Sequence, residues 1–248
     1  MTTIFVQARM SSSRLPGKVL LDLGGKPVLR WVVDRCRQAR FATSVVVLTS
    51  AQRDDDAIAS YCEAEGIDFF RGPLEDVLER FYLASEFYNV KNFVRVTADC
   101  PFIEPTIIDT VIANGICNKH DYTGLSGDFP DGLDCTFFSR NAVTVAHFRA
   151  NKSYQREHIG QYIEENANDF SCGSIVIFDN DFGLRLTLDE HADYVFLQKI
   201  VQLLNNHSFN ILDVLELHYK KPHLSEINSR IIRNAGLIKS KDTYNADW

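Results

Sequence analysis

At 248 residues the chain suffices for one large α/β domain or two small ones, and its 45% hydrophobic and 24% charged residues are ordinary for a globular protein. A net charge of −7 excludes a nucleic-acid backbone as partner of the whole surface, so a nucleotide would have to meet cations concentrated in one place. No apolar run is long enough to span a bilayer, no basic-then-apolar leader opens the chain, and the cysteines at 36, 62, 100, 117, 135 and 172 lack zinc spacing, so the expectation is a cytoplasmic protein with reduced thiols.

Ile4 to Val6 reads as a short buried strand. The chain then turns polar, with Arg9, Ser11, Ser12, Ser13, Arg14 and Lys18 inside ten residues. Hydroxyls and backbone N–H groups after a strand can donate to phosphate oxygens while fixed cations offset their charge. Neither GxxxxGK[ST] nor GxGxxG is present, and a solvated surface loop is the bland alternative. Residues 27–40 have helical spacing, 44–49 is a β-branched run typical of a buried parallel strand, and 54–65 is a helix opened by Asp54, Asp55 and Asp56, as the helix dipole favours. Residues 66–70 form a short strand, 75–88 an amphipathic helix, and 92–97 a further strand that ends at Ala98-Asp99-Cys100-Pro101.

Strands and helices alternating at these lengths imply βαβ units and a mainly parallel central sheet flanked by helices, in one domain. Ligands of such sheets bind beyond the carboxyl ends of the strands, which places the Arg9–Lys18 loop and Asp99 at one rim. A helix at 105–114 follows, then a glycine-rich loop and Asp131-Gly-Leu-Asp134, then helices at 141–149 and 156–166. Residues 174–178 and 184–188 read as a hairpin around Asp179-Asn-Asp-Phe-Gly183, 189–204 as a helix, and the last forty residues as polar helix divided by Pro222. The stretch 137–172 lies between sheet segments and could leave the sheet.

Gln7-Ala-Arg-Met-Ser-Ser-Ser-Arg-Leu-Pro-Gly-Lys18, followed by Gly25-Lys-Pro27, resembles the opening of the sugar nucleotidyltransferases. It is similar above all to the CMP-sugar-acid synthetases (the acylneuraminate and Kdo cytidylyltransferases) and to the spore coat polysaccharide SpsF group. The resemblance implies a nucleotide-diphospho-sugar transferase (GT-A-like) fold and transfer of CMP from CTP to an acidic sugar for surface polysaccharide or glycan synthesis. It also implies Mg²⁺ as cofactor and a homodimer, with 137–172 helping to form the interface.

The same resemblance assigns roles. Gln7, Ala8, Arg9, Ser11, Ser12, Ser13, Arg14, Lys18, Thr97 and Ala98 would bind the nucleotide. Arg14, Lys18 and Asp99 would act in catalysis, and Asp99 and Asp189 would hold the metal, which takes hard oxygen ligands. Arg71, Asp131, Asp134 and Arg156 would meet the acceptor. Each aspartate also has a plainer reading as a turn former or helix cap. Where Kdo enzymes carry Gln-Gly-Asp, this chain has Thr97-Ala98-Asp99, so the base-reading contact differs. Three readings compete with the transferase of CMP: a metal-dependent glycosyltransferase consuming a nucleotide sugar at Asp179-Asn-Asp181, another sugar-phosphate nucleotidyltransferase, and a non-catalytic nucleotide-binding subunit. Asp181-Phe-Gly183 spells a kinase metal motif but lacks the catalytic and glycine-rich loops that give it meaning.

Overall fold

The structure is a computed structural model that describes residues 2–205, 208–233, 238, 241, 242 and 244. Seven strands form one sheet in the order β3-β2-β1-β4-β6-β5-β7: β1 (Thr2–Gln7), β2 (Ser44–Ser50), β3 (Phe69–Gly72), β4 (Asn92–Thr97), β5 (Tyr122–Leu125), β6 (Thr136–Ser139) and β7 (Cys172–Ile175). β1 pairs parallel with β2 and β4, β2 with β3, and β5 with β7, while β6 runs antiparallel between β4 and β5. The expected mainly parallel α/β sheet is therefore present.

β1 is central, and its apolar residues are fully buried on both faces. Alternation sends Ile4 and Val6 to one core and Phe5 to the other. The first core lies against α1 (Val28–Cys36), α2 (Asp56–Ala64), α4 (Pro105–Cys117), α8 (His191–Leu204) and α9 (Ile211–Lys220). The second lies against α3 (Val77–Phe87), α5 (Arg140–Arg149) and α7 (Gln161–Glu165), with the short α6 (Ser153–Glu157) beside them. Phe5, Phe93 and Phe138 form a row across β1, β4 and β6, with ring centroids 5.0 and 5.4 Å apart. The stretch 137–172 supplies β6 and the helices α5 to α7, whose Val143, Ala146 and Ile163 are buried on this second face.

The expected hairpin at 174–188 is absent. β7 ends at Ile175 and pairs with β5, whereas 184–188 runs extended along the rim. Leu184, Leu186 and Leu188 are buried, and their alternation imitates a strand. Their backbone partners lie in rim loops: Leu186 N donates to Asp131 O at 2.6 Å, and Leu188 N to Asp99 O at 2.8 Å. The single helix expected over 156–166 is two short helices, interrupted at His158-Ile159-Gly160. The helix expected from Asp54 begins at Asp56, after a tight turn at Arg53–Asp55. Of the expected C-terminal helix, α9 ends at Lys220 and a tight turn follows at Pro222–Ile227; the remainder falls partly outside the described residues. Among the described residues no helix is long and apolar enough to cross a membrane.

Candidate active site

The loop after β1 folds back on itself. Ser12 N and Gly17 N both donate to Met10 O, at 2.9 and 3.0 Å, and Gly17 takes φ +70°, which suits glycine. Met10 N donates to Asp55 Oδ1 at 2.7 Å, and Ser50 N to Asp55 Oδ2 at 3.0 Å, so one buried carboxylate ties this loop to the end of β2. Ser12 Oγ accepts from Leu15 N, whereas Ser11 and Ser13 face solvent. Ala8 is buried, and Ala98 N donates to Gln7 O at 2.9 Å, so β1 and β4 stay paired to the rim. Gln7 Oε1 accepts from Arg95 Nε at 3.0 Å, and Thr97 Oγ1 lies 3.2 Å from Cys100 Sγ.

This fold-back carries Lys18 inward. Its ammonium donates to Asp99 Oδ2 at 2.6 Å and to Asp189 Oδ1 at 2.8 Å. Arg14 lies on the outer side, 3.2 Å from both Asp189 Oδ1 and Glu190 Oε1. Residues 171 positions apart thus meet at one point, as the topology rule requires. Burial alone would lower the Lys18 pKa, but Asp99 and Asp189 outweigh it and raise it. Burial likewise pushes Asp99 up, and Lys18 overrides it, holding the carboxyl down at about 2.

Beneath this cluster Arg185 is a hub that the sequence reading missed. Its Nε donates to Asp193 Oδ1 at 2.9 Å, its Nη2 to Asp189 Oδ2 at 2.8 Å, and its Nη1 to Asp131 Oδ2. Asp193 is fully buried and also accepts from Asp189 N, Glu190 N and Asn228 Nδ2 at 2.9, 3.0 and 2.9 Å. The visible signal was an arginine inside an apolar run, with aspartates four and eight residues later.

Asp131 and Asp134 sit beside this hub. Gly132 between them takes φ +100°, and a Cβ there would stand 2.6 Å from Leu186 C and Thr187 N. Arg233 closes the loop, donating to Phe129 O at 3.0 Å and to Asp134 Oδ1 at 3.2 Å. The structure does not bring Arg71 and Arg156 into the Lys18 cluster. Arg71 donates to Ser50 O, Gln52 O and Asp56 Oδ1, and Arg156 to Asp76 Oδ2 and His147 O. Asp179 and Asp181 lie in an exposed turn, where Asp181 Oδ1 accepts from Gly183 N.

Among the described residues no group of three or more His, Cys, Asp or Glu side chains could enclose a metal. Asp99 and Asp189 nonetheless offer two carboxylates bonded to one cation, and that donor set suits Mg²⁺, which keeps waters and takes substrate phosphates as further ligands.

A doubly wound sheet with a cationic loop after its first strand and two aspartates converging on one lysine at the same rim defines a nucleotidyltransferase. A family model described as cytidylyltransferase matches residues 3–219. The chain is 30% identical over 204 residues to the spore coat polysaccharide biosynthesis protein SpsF of Bacillus subtilis, covering 79% of this chain and 85% of that one. It is 36% identical over 149 residues to the 3-deoxy-manno-octulosonate cytidylyltransferase of Photobacterium profundum, covering 58% and 57%. The solved structure of a cytidylyltransferase from Leptospira borgpetersenii superposes with a TM-score of 0.86 at 30% identity, covering 94% of this chain and 99% of that one. The chain belongs to the cytidylyltransferase family and is accordingly a CTP-dependent nucleotidyltransferase.

Proposed function

We propose that the protein transfers CMP from CTP to the anomeric hydroxyl of an acidic keto-sugar, of the nonulosonic or ulosonic class, with release of pyrophosphate. The observation that carries this reading is the Lys18 ammonium held between Asp99 and Asp189, with Arg14 alongside. A triphosphate laid along the loop would meet Arg9, Arg14 and Lys18 in succession, a grip that a nucleoside diphosphate does not need. The exposed turn at Asp179-Asn-Asp181 gives the glycosyltransferase reading no comparable cation cluster. The similarity to a sugar-acid cytidylyltransferase supports an acidic acceptor and a product destined for surface polysaccharide.

Asp99 and Asp189 would hold Mg²⁺, which supplies charge neutralisation at the phosphates and sugar oxygens. The chain's own contribution is positioning and fixed charge. Arg9 and Arg14 orient the triphosphate so that the acceptor hydroxyl approaches the α-phosphate in line with the leaving pyrophosphate. Lys18 stabilises the charge that develops on that leaving group, and Arg185 holds Asp189 in place.

The test is pyrophosphate release from CTP over a panel of sugar acids, with nucleotide affinity measured separately by calorimetry with and without Mg²⁺. Asp99→Asn and Asp189→Asn should each lower turnover at least roughly 10- to 100-fold while retaining the native circular dichroism spectrum. Full activity in either variant refutes the metal assignment. Preference for UDP over every triphosphate refutes the transfer of CMP.

A further inference from the structure

Residues beyond 219 lie outside the match to the cytidylyltransferase model, yet two of them reach the hub beneath the active site. After α9 the turn at Pro222–Ile227 packs on α8, with Leu224 in the first core. Asn228 follows and is buried. Its Nδ2 donates to Arg185 O at 3.0 Å and to Asp193 Oδ1 at 2.9 Å. Further on, Arg233 is engaged on every side. Its Nη1 donates to Phe129 O at 3.0 Å and its Nη2 to Asp134 Oδ1 at 3.2 Å. Its Nε lies 3.7 Å from Asp131 Oδ1, and its guanidinium carbon lies 4.2 Å from the centre of the Phe129 ring.

The consequence runs through Arg185. Asp189 divides its two oxygens, for Oδ1 meets Lys18 and Arg14 while Oδ2 accepts from Arg185 Nη2. Lys18 also meets Asp99, so Oδ1 is the oxygen turned toward the other carboxylate of the pair. This division depends on the direction of the Arg185 fork. A guanidinium is planar, so fixing two of its donors aims the third. Asp193 fixes Nε, and Asp131 fixes Nη1. The C-terminal segment holds both of those carboxylates, Asp193 through Asn228 and Asp131 through Arg233. Arg233 lies against Oδ1 of Asp131 and leaves Oδ2 to Arg185.

We propose that Asn228 and Arg233 are positioning residues for the metal pair: they set the Arg185 fork, and the fork presents Asp189 Oδ1 to a divalent cation shared with Asp99. The inference rests on the reading of Asp99 and Asp189 as metal ligands. Charge alone predicts the opposite effect of Arg233. It is a cation near the site, and its removal would by field alone strengthen the binding of another cation. A loss of metal binding on its removal therefore reports position.

Calorimetric titration with CTP, with and without Mg²⁺, tests it, the ratio of the two affinities reporting the metal. Loss of a residue that orients a metal ligand typically costs about 10- to 100-fold, and Arg233 acts through Asp131 and Arg185, so Arg233→Gln should lower the ratio roughly 3- to 10-fold. Affinity for CTP without Mg²⁺ should stay as in the wild type. Asn228→Ser, which withdraws the donor from Asp193, should lower the ratio likewise. Arg233→Lys, which keeps a cation at Asp131, should recover most of it. Arg230→Gln, which removes a neighbouring exposed cation, should leave the ratio unchanged or raise it. An unchanged or raised ratio in either folded variant, Arg233→Gln or Asn228→Ser, overturns the proposal. So does an equal fall in Arg230→Gln. A wild-type protein whose affinity for CTP is indifferent to Mg²⁺ overturns the metal reading itself, and the two failures are thereby distinguished.

Discussion

Replacing Arg185 by methionine tests whether the hub under the active site holds the protein together. The substitution keeps an unbranched apolar stem and removes the guanidinium, leaving three carboxylates without their shared cation. Asp189 still faces Lys18 and Arg14, and Asp131 has Arg233 3.7 Å away. Among the described residues Asp193 has no other cation, and it has no exposure to water. Removing one partner of a buried ion pair typically costs about 3–5 kcal/mol. Asp193 retains the N–H groups of Asp189 and Glu190 and the amide of Asn228, so the lower end, about 3 kcal/mol, applies. For a chain of this length about 2–4 °C of melting temperature accompanies each kcal/mol, giving a fall of about 6–12 °C. Thermal unfolding followed by circular dichroism measures this. Adding Asp193→Asn should restore part of the loss, because the stranded charge is then gone. A single variant melting within about 2 °C of wild type would show that solvent or neighbouring groups already compensate Asp193, and the argument from burial would fail.

Gly132→Ala should destabilise the protein by at least about 1–3 kcal/mol, because φ +100° and backbone atoms at 2.6 Å leave no room for a Cβ. Urea unfolding checks it, and wild-type stability in the variant contradicts the close approach. Asp99, held at about 2 against an ordinary value of 3.8, contributes stability that is present above its unfolded pKa and is lost as pH falls through its folded one. On lowering the pH from about 4 to about 2 the wild type should therefore lose about 2 kcal/mol more stability than Asp99→Asn, as followed by chemical unfolding. Parallel acid limbs for the two proteins would count against the Lys18 pairing.

What was legible in the sequence was what the chain writes contiguously. β1 and the cationic loop after it are adjacent, so apolar strand and polar turn are read together. Asp99 was visible for the same reason, ending a strand before a proline. The segment 184–188 misled because alternating leucines signal an extended chain packed on a core but do not say what it pairs with. Its partners, Asp131 and Asp99, are remote in sequence. Asp55 shows the same limit. Three acids in a row read as dipole partners of a helix, yet the middle one is buried and fastens the loop after β1. Arg185 was hidden because an arginine ordinarily lies at the surface, and only tertiary closure places it inside.

The antiparallel run of β6 carries a consequence for how this enzyme could change over generations. β5 ends at the rim and β6 begins there, so residues 126–135 leave and re-enter the sheet at the same edge. The open stretch 126–128 can lengthen, shorten or exchange its side chains without shifting the register of any strand, whereas Asp131 and Gly132 are fixed against Arg185 and Leu186. The loop after β1 is bound instead to β2 through Asp55, and has no such latitude. Variation in loop length, in nature or by directed evolution, therefore has a natural seat at 126–128, while the loop after β1 is held as it stands.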